Sequence, residues 1–249
     1  MHIFFDIDGT LVDHESAADF ACRDLRRRHD HFMTVPESEF HNLWFLVISE
    51  WMRHSRNCSF KEQSLGFTKD VFSRFGCEIS DDEAAAEFDS YMAAYKLQWT
   101  LYPDVLVCLN ALSHIELGVV SNGDPEFQVG KLVRMGIAER FAPIILSAEV
   151  GRAKPDVAIF AEACARAGAS PSDCVYVGDH LQTDIAASSA AGWHAIWINR
   201  DEQQEQINGV MSITTLTDLP ALISKLTSLK TPSTFDGSCS LEVMTHPSR

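Results

Sequence analysis

The chain has no excess of positive charge, no Cys-x-x-Cys pair, no long apolar opening segment and no glycine-rich nucleotide loop, and each absence removes a class of function. Only 20 Lys and Arg stand against 35 Asp and Glu, a formal net charge of −15. Duplex nucleic acid and anionic membranes are bound through a basic face, so neither is expected as a partner. An anionic ligand would have to be held by a local positive site. The cysteines, Cys22, Cys58, Cys77, Cys108, Cys164, Cys174 and Cys239, are odd in number and never spaced as a metal or redox pair. They read as reduced, mostly buried thiols, and the expected location is cytoplasmic. The first apolar run, His2-Ile3-Phe4-Phe5, is too short for a secretory segment or a membrane span. Internal repeats, G-x-G-x-x-G and Walker-type loops are missing too, so the common nucleotide-cradling motifs do not apply.

What is present is an ordinary globular composition, 46% hydrophobic and 22% charged over 249 residues, enough for a large α/β core with a smaller companion. Residues 14–100 read as an inserted helical subdomain, with helices expected near 15–31, 37–56, 59–75 and 81–99. Pro36 suits a first helical turn, Gly76 a C′ position, and Ser80-Asp81-Asp82-Glu83 a capping box. From residue 101 to 230 strands alternate with helices, with strands expected near 116–120, 143–147, 174–177 and 194–198. That alternation, joined by the strand of residues 1–13, predicts a doubly wound parallel sheet with its ligand site outside the strands' carboxyl ends. Residues 231–249 are polar and aperiodic and read as a flexible tail.

The chemistry-bearing residues fall where these strands end. Asp6 and Asp8 follow the first apolar run and precede Gly9. On a strand, i and i+2 share a face, and two anions about 4 Å apart repel by about 4 kcal/mol at an effective dielectric of about 20. A hard divalent ion, Mg2+ above all where phosphate is present, would resolve that conflict. Alone, such a pair is as readily a solvated turn. Ser121-Asn122-Gly123-Asp124 offers a hydroxyl, an amide and backbone N–H groups before a helix, which is either a phosphate cradle or a plain turn. Lys154, before Pro155, can aim a positive charge at the same end of the sheet. Gly178-Asp179 and Asp184 close the last strand, with Asp184 open to a helix-cap role and His180 to the site rim.

In these four segments, in this order, the chain closely resembles the haloacid dehalogenase-like hydrolase superfamily. The matching motifs are D-I-D-G-T-L-V at Asp6 to Val12, the hydroxyl of Ser121, K-P-D at Lys154, and G-D-x-x-x-x-D at Gly178 to Asp184. The insert resembles that superfamily's helical cap. The wording around the motifs is most similar to the pyrimidine 5′-nucleotidase and N-acylneuraminate-9-phosphatase branch. The resemblance implies a Rossmann-like core, a nucleophile at Asp6 and a general acid and base at Asp8. It implies Mg2+ held by Asp6, the carbonyl of Asp8 and Asp179, with Asp184 in support, and phosphate binding by Thr10, Ser121, Asn122, Gly123 and Lys154. Dehalogenases of the superfamily generally lack the second aspartate of the first motif and need no metal, so keeping Asp8, Asp179 and Asp184 favours phosphoryl transfer.

The expected activity is Mg2+-dependent hydrolysis of a small phosphorylated metabolite through an aspartyl phosphate, by a monomer or homodimer. A phosphomutase or a non-catalytic regulator that binds phosphate compounds is the alternative. Specificity would come from the cap, where His14, Trp44, Phe45, Trp51 and Arg53 either close over the leaving group or pack the cap interior. The run Arg23 to His29, with Arg26-Arg27-Arg28 inside it, either steers anions or is a solvated face.

Overall fold

The computed structural model describes residues 1–54, 59–200 and 207–230, so the expected tail and the side chain of Arg53 lie outside the described residues. The strands are β1 (His2–Phe5), β2 (Glu116–Ser121), β3 (Ile144–Leu146), β4 (Cys174–Gly178), β5 (His194–Ile198) and β6 (Met211–Ile213). They form one sheet in the order β3-β2-β1-β4-β5-β6, with every adjacent pair parallel. The first strand therefore sits in the middle, with Phe5 beside Val119 of β2 and Val177 of β4. Here the strand order reverses, and diverging connections leave a crevice beyond the carboxyl ends.

Both faces of a parallel sheet are covered, so its inner strands are apolar throughout and alternate residues serve opposite layers. Ile3 and Phe5 join Val119, Val175 and Val177 in one layer, while Phe4 joins Val120 and Tyr176 in the other. Continuing that alternation, Asp6 leaves the strand on the side of Phe4 and Tyr176. The strand β6, three residues long, escaped the sequence reading because Met-Ser-Ile carries too little alternation to stand out.

Between β1 and β2 run α1 (His14–Arg27), α2 (Asp30–Met33), α3 (Glu37–His54), α4 (Phe60–Arg74), α5 (Asp81–Leu97) and α6 (Val105–Ala111). Then α7 (Pro125–Arg134) follows β2, α8 (Ser147–Val150) and α9 (Ala158–Ala167) follow β3, and α11 (Leu219–Lys230) follows β6. After β4 comes a π-helical turn over Leu181–Ala186 that leads into α10 (Ala187–Ala190). The Ser80 box closes α5, with the Glu83 carboxylate accepting the Ser80 N–H at 2.8 Å, and Ser59 with Glu62 builds a second box on α4. The helix expected over 15–31 breaks into α1 and α2. Arg26 is buried at the break, and its guanidinium donates to the carbonyl of Val35 at 2.5 Å. Arg28 pairs with Asp24 and Glu87. Two of the three consecutive arginines are thus structural rather than anion-steering.

The helices α1 to α5 share an aromatic core of their own, while α6 packs with the sheet. Trp44 is fully buried there, its ring centroid 4.9 Å from that of Tyr91 and 5.6 Å from that of Phe67, so it packs the insert and cannot face a substrate. Phe45 is half-buried against His41, and Trp51 donates to Asp70 at 3.3 Å over the flank of Gly66. Trp44→Ala is expected to cost about 3–5 kcal/mol of stability, as for other large buried rings. Urea denaturation measures it, and a loss below about 1 kcal/mol would contradict this packing.

Candidate active site

Beyond Phe5 the chain bends, and the backbone N–H of Asp6 still donates to the carbonyl of Val177 at 2.9 Å, which carries the register of β1 one residue past the strand. Gly9 turns the loop with φ +76°, and a Cβ there would lie 2.2 Å from the Asp179 carboxylate. Only glycine lets Asp179 close down on this loop. Gly178 plays the same part on β4, where an added Cβ would come within 2.6 Å of Asp184. The loop is tied from behind by Arg200, which donates to the carbonyl of Thr10 at 2.8 Å, forks onto Asp104 and stacks on the Tyr102 ring.

The carboxylate oxygens of Asp6, Asp179 and Asp184 all lie within 4.8 Å of one another. Lys154, 5% exposed, reaches into this group from the loop before α9. Its ammonium donates to Asp184 at 2.7 Å and to the Tyr176 hydroxyl at 2.8 Å, and forms an ion pair with Asp6 at 2.9 Å, where the Asp6 Oδ1 accepts no hydrogen bond. Tyr176 in turn donates to the carbonyl of Val120 at 2.7 Å, and Asp184 accepts the N–H of His180 at 2.9 Å. Three carboxylates thus share one ammonium. Burial raises the Asp6 pKa, with Asp184 adding to it against the pull of Lys154. Burial and then Asp6 and Asp184 push Asp179 up to about 8. Burial opposes the Lys154 charge, yet Asp6 and Asp184 outweigh it and hold that pKa above the ordinary lysine value. A hard, oxygen-seeking cation fits the charge left over, with Asp6, Asp179 and Asp184 as its donors.

Asp8 faces elsewhere. Its carboxylate accepts from Lys131 at 2.5 and 2.7 Å and from Gln128 at 3.0 Å, both on α7. Burial tends to raise its pKa, but Lys131 wins and holds it below the usual carboxylate range. The conflict expected between Asp6 and Asp8 is therefore met by two separate lysines, because the strand stops at Phe5 and the bend splits the carboxylates apart. The helix α7 is placed by Asp124, whose carboxylate caps it by accepting the N–H groups of Glu126 and Phe127, and Gln128 and Lys131, three apart, share a face. His14, the first residue of α1, is half-buried near Asp8, and its Nδ1 has no hydrogen-bond partner.

The residues expected to cradle phosphate divide. Ser121 is buried at the site and accepts from Gln128 at 3.2 Å. The amide of Asn122 is occupied with the Lys154 backbone, accepting its N–H at 2.8 Å and donating to its carbonyl at 3.0 Å. That clamp sets the lysine and uses one of the two amide protons. The Gly123 N–H is engaged by the Ser147 hydroxyl at 2.9 Å, so it is not an open cradle group. Thr10 is fully buried with no partner for its hydroxyl. His180 caps the π-helical turn by accepting the N–H groups of Gln182 and Thr183. Lys131, Gln128, Tyr176 and Arg200 were absent from the sequence reading. For the first two a signal existed, a polar i, i+3 pair on an otherwise apolar helix face directly after the Ser121 turn.

A family model described as haloacid dehalogenase-like hydrolase matches residues 1–192. The chain belongs to that family. It is 30% identical to the glyceraldehyde 3-phosphate phosphatase of Methanopyrus kandleri over 82% of this chain and 85% of that one. With the N-acylneuraminate-9-phosphatase of Rattus norvegicus it shares 27% identity over 90% of this chain and 94% of the other. Among solved structures, the HAD-hydrolase YfnB of Bacillus subtilis superposes with a TM-score of 0.72 at 20% identity, covering 89% of this chain and 97% of that one. No helix among the described residues is long and apolar enough to cross a membrane.

The raised pKa of Asp179 gives the metal-free protein a pH signature. A carboxyl whose folded pKa lies above its unfolded value, here about 8 against 3.8, stays protonated in the folded state while the unfolded state ionises. Its contribution to stability is therefore full at low pH and is lost as pH rises toward about 8. Thermal melts in chelator should fall with pH across that window, and Asp179→Asn should flatten the fall. Equal slopes in the two proteins would contradict the charge balance described.

Proposed function

We propose that the protein is a Mg2+-dependent phosphatase that hydrolyses small phosphomonoesters through an aspartyl phosphate on Asp6. The observation that carries this reading is the cluster of Asp6, Asp179 and Asp184, two of them paired with Lys154, in a chain whose curated relatives are phosphatases. Asp6, Asp179 and the carbonyl of Asp8 would hold the ion, with Asp184 in support. When bound, Mg2+ supplies charge neutralisation for a phosphoryl group entering a pocket already rich in carboxylates.

The remaining steps belong to side chains of the chain itself. Asp6 attacks phosphorus with one carboxylate oxygen while Lys154 holds the other, and the ester oxygen departs and takes a proton from Asp8. Water then attacks the phosphoryl group, gives its proton back to Asp8, and frees Asp6 as inorganic phosphate leaves. Asp8 is ionised in its pair with Lys131, the form needed for the second step, so the first requires it to gain a proton before the ester bond breaks. Ser121 and Lys154 offer donors to the phosphoryl oxygens. Carbon–halogen hydrolysis, which the family name also covers, generally dispenses with the second aspartate of the first motif and with a metal, so Asp8 and the carboxylate cluster favour phosphoryl transfer.

The relatives act, by their names, on glyceraldehyde 3-phosphate and on N-acylneuraminate 9-phosphate. Their shared chemistry is a phosphorylated, oxygen-rich small molecule. We assign this chain the same class, with Lys154 as the local positive site that an anionic ligand needs in an acidic chain and with a helical insert beside the site.

Purified protein should release phosphate from p-nitrophenyl phosphate with Mg2+ and stop in chelator. Asp6→Asn keeps the side chain's shape and loses its charge, and should lower kcat by at least about a thousandfold while the melting profile stays cooperative. Near-normal turnover in that variant, or turnover undiminished in excess chelator, would refute the reading.

A further inference from the structure

Lys131 is 1% exposed, which is unusual for a lysine on a core helix. Its ammonium chelates both carboxylate oxygens of Asp8, at 2.5 and 2.7 Å. Around it stand three aromatic rings, Phe127 with its centroid at 4.8 Å, Trp99 at 5.6 Å and Tyr95 at 5.9 Å. Each lies within the distance at which a ring face attracts a cation. The rings also hold one another, with Phe127 stacked on Tyr95 at 6.0 Å and edge-on to Trp99 at 5.1 Å. They come from two places. Phe127 belongs to α7, next to Gln128, whereas Tyr95 lies on α5 and Trp99 on the return from the helical insert to the core.

The ammonium is buried while the Asp8 side chain is 26% exposed, and taking a lysine charge out of water costs free energy that its pairing has to offset. Here the pair is aimed. Lys131 from one side and Gln128 from another fix both oxygens of Asp8, and the ring cage leaves the ammonium little freedom to point anywhere else.

We propose that Lys131 is the positioning residue for Asp8, and that the cage of Phe127, Tyr95 and Trp99 makes that position depend on how the end of the helical insert sits on α7. This rests on the reading of Asp8 as the proton-transfer group. Lys131 never touches the phosphoryl group in this account. It acts through Asp8, so its loss should be felt where the leaving group needs a proton and little where it does not.

The test is the first turnover, measured by rapid quench with Mg2+ present, for an alkyl phosphate and for p-nitrophenyl phosphate. Five proteins are compared: wild type, Asp8→Asn, Lys131→Met, the double variant and Phe127→Leu. An alkoxide is a poor leaving group and p-nitrophenolate a good one, so Asp8→Asn should slow the alkyl substrate far more. Lys131→Met should slow the alkyl reaction at least about tenfold more than the aryl one. In the Asp8→Asn background, adding Lys131→Met should shift the alkyl-to-aryl ratio by less than about twofold, because the group it positions is already gone. Phe127→Leu, which leaves the lysine in place and opens the cage, should shift the ratio in the same direction by less. It also decides the matter if Lys131→Met does not fold.

Equal slowing of both substrates by Lys131→Met, no slowing, or a selective effect that persists without Asp8 would each overturn the proposal. If Lys131→Met does not fold, an unchanged ratio in Phe127→Leu would overturn it. If Asp8→Asn itself treats the two substrates alike, the proton-transfer reading of Asp8 has failed, and this inference falls with it in a way the first comparison identifies.

Discussion

Lys154 stands where the fold would otherwise bring together nothing but carboxylates. Asp6 from the end of β1 and Asp184 from the turn after β4 both pair with its ammonium, and Asp179 lies within 4.8 Å of them. Removing one member of a buried pair costs about 3–5 kcal/mol, so the lysine's place is held from several directions. Asn122 clamps its backbone N–H and carbonyl, and the Tyr176 hydroxyl accepts from its ammonium while donating to the carbonyl of Val120 on β2. Gly9 and Gly178 are there because a Cβ at either would strike Asp179 or Asp184. Much of the loop architecture at the carboxyl end of the sheet follows from seating that one cation.

The pocket then has two cationic regions with different work. One gathers Asp6, Asp179 and Asp184 beside Lys154, and there burial, with Asp6 and Asp184 adding to it, pushes the Asp179 pKa up to about 8. The other pairs Asp8 with Lys131 and closes its own account. On the proposed mechanism this separation keeps the attacking carboxylate and the proton-carrying one from sharing a counter-ion. Each can then change charge during the reaction without first undoing the other's pair. The helical insert meets the second region through Tyr95 and Trp99, whose rings stand beside the ammonium of Lys131.

Strand positions and the parallel sheet were legible because apolar runs bounded by polar turns carry a clear period, and the expected strands near 116–120, 174–177 and 194–198 lie within β2, β4 and β5 or coincide with them. The polar residues at strand ends were legible for the same reason, since each follows an apolar run that has nowhere to go but the sheet. What stayed hidden depends on contacts between distant segments. Nothing in the local pattern tells that Asn122 spends its amide on Lys154, or that the Gly123 N–H is taken by Ser147. Lys131 looks like a surface lysine until the end of α5 is laid across it. Trp44, Phe45 and Trp51 share a helical spacing that suits a binding face and an interior equally, and the packing of α4 and α5 against Trp44 decided it for the interior.

The central claim is that Asp6 carries the phosphoryl group. Acid quench within the first turnover, followed by proteolysis and mass spectrometry of the peptide that bears Asp6 and Asp8, tests it directly. The account predicts one phosphoryl adduct, on Asp6, that is labile to hydroxylamine and lost on a longer chase. Full phosphate release with no adduct at any time point, or an adduct on another residue, would contradict it.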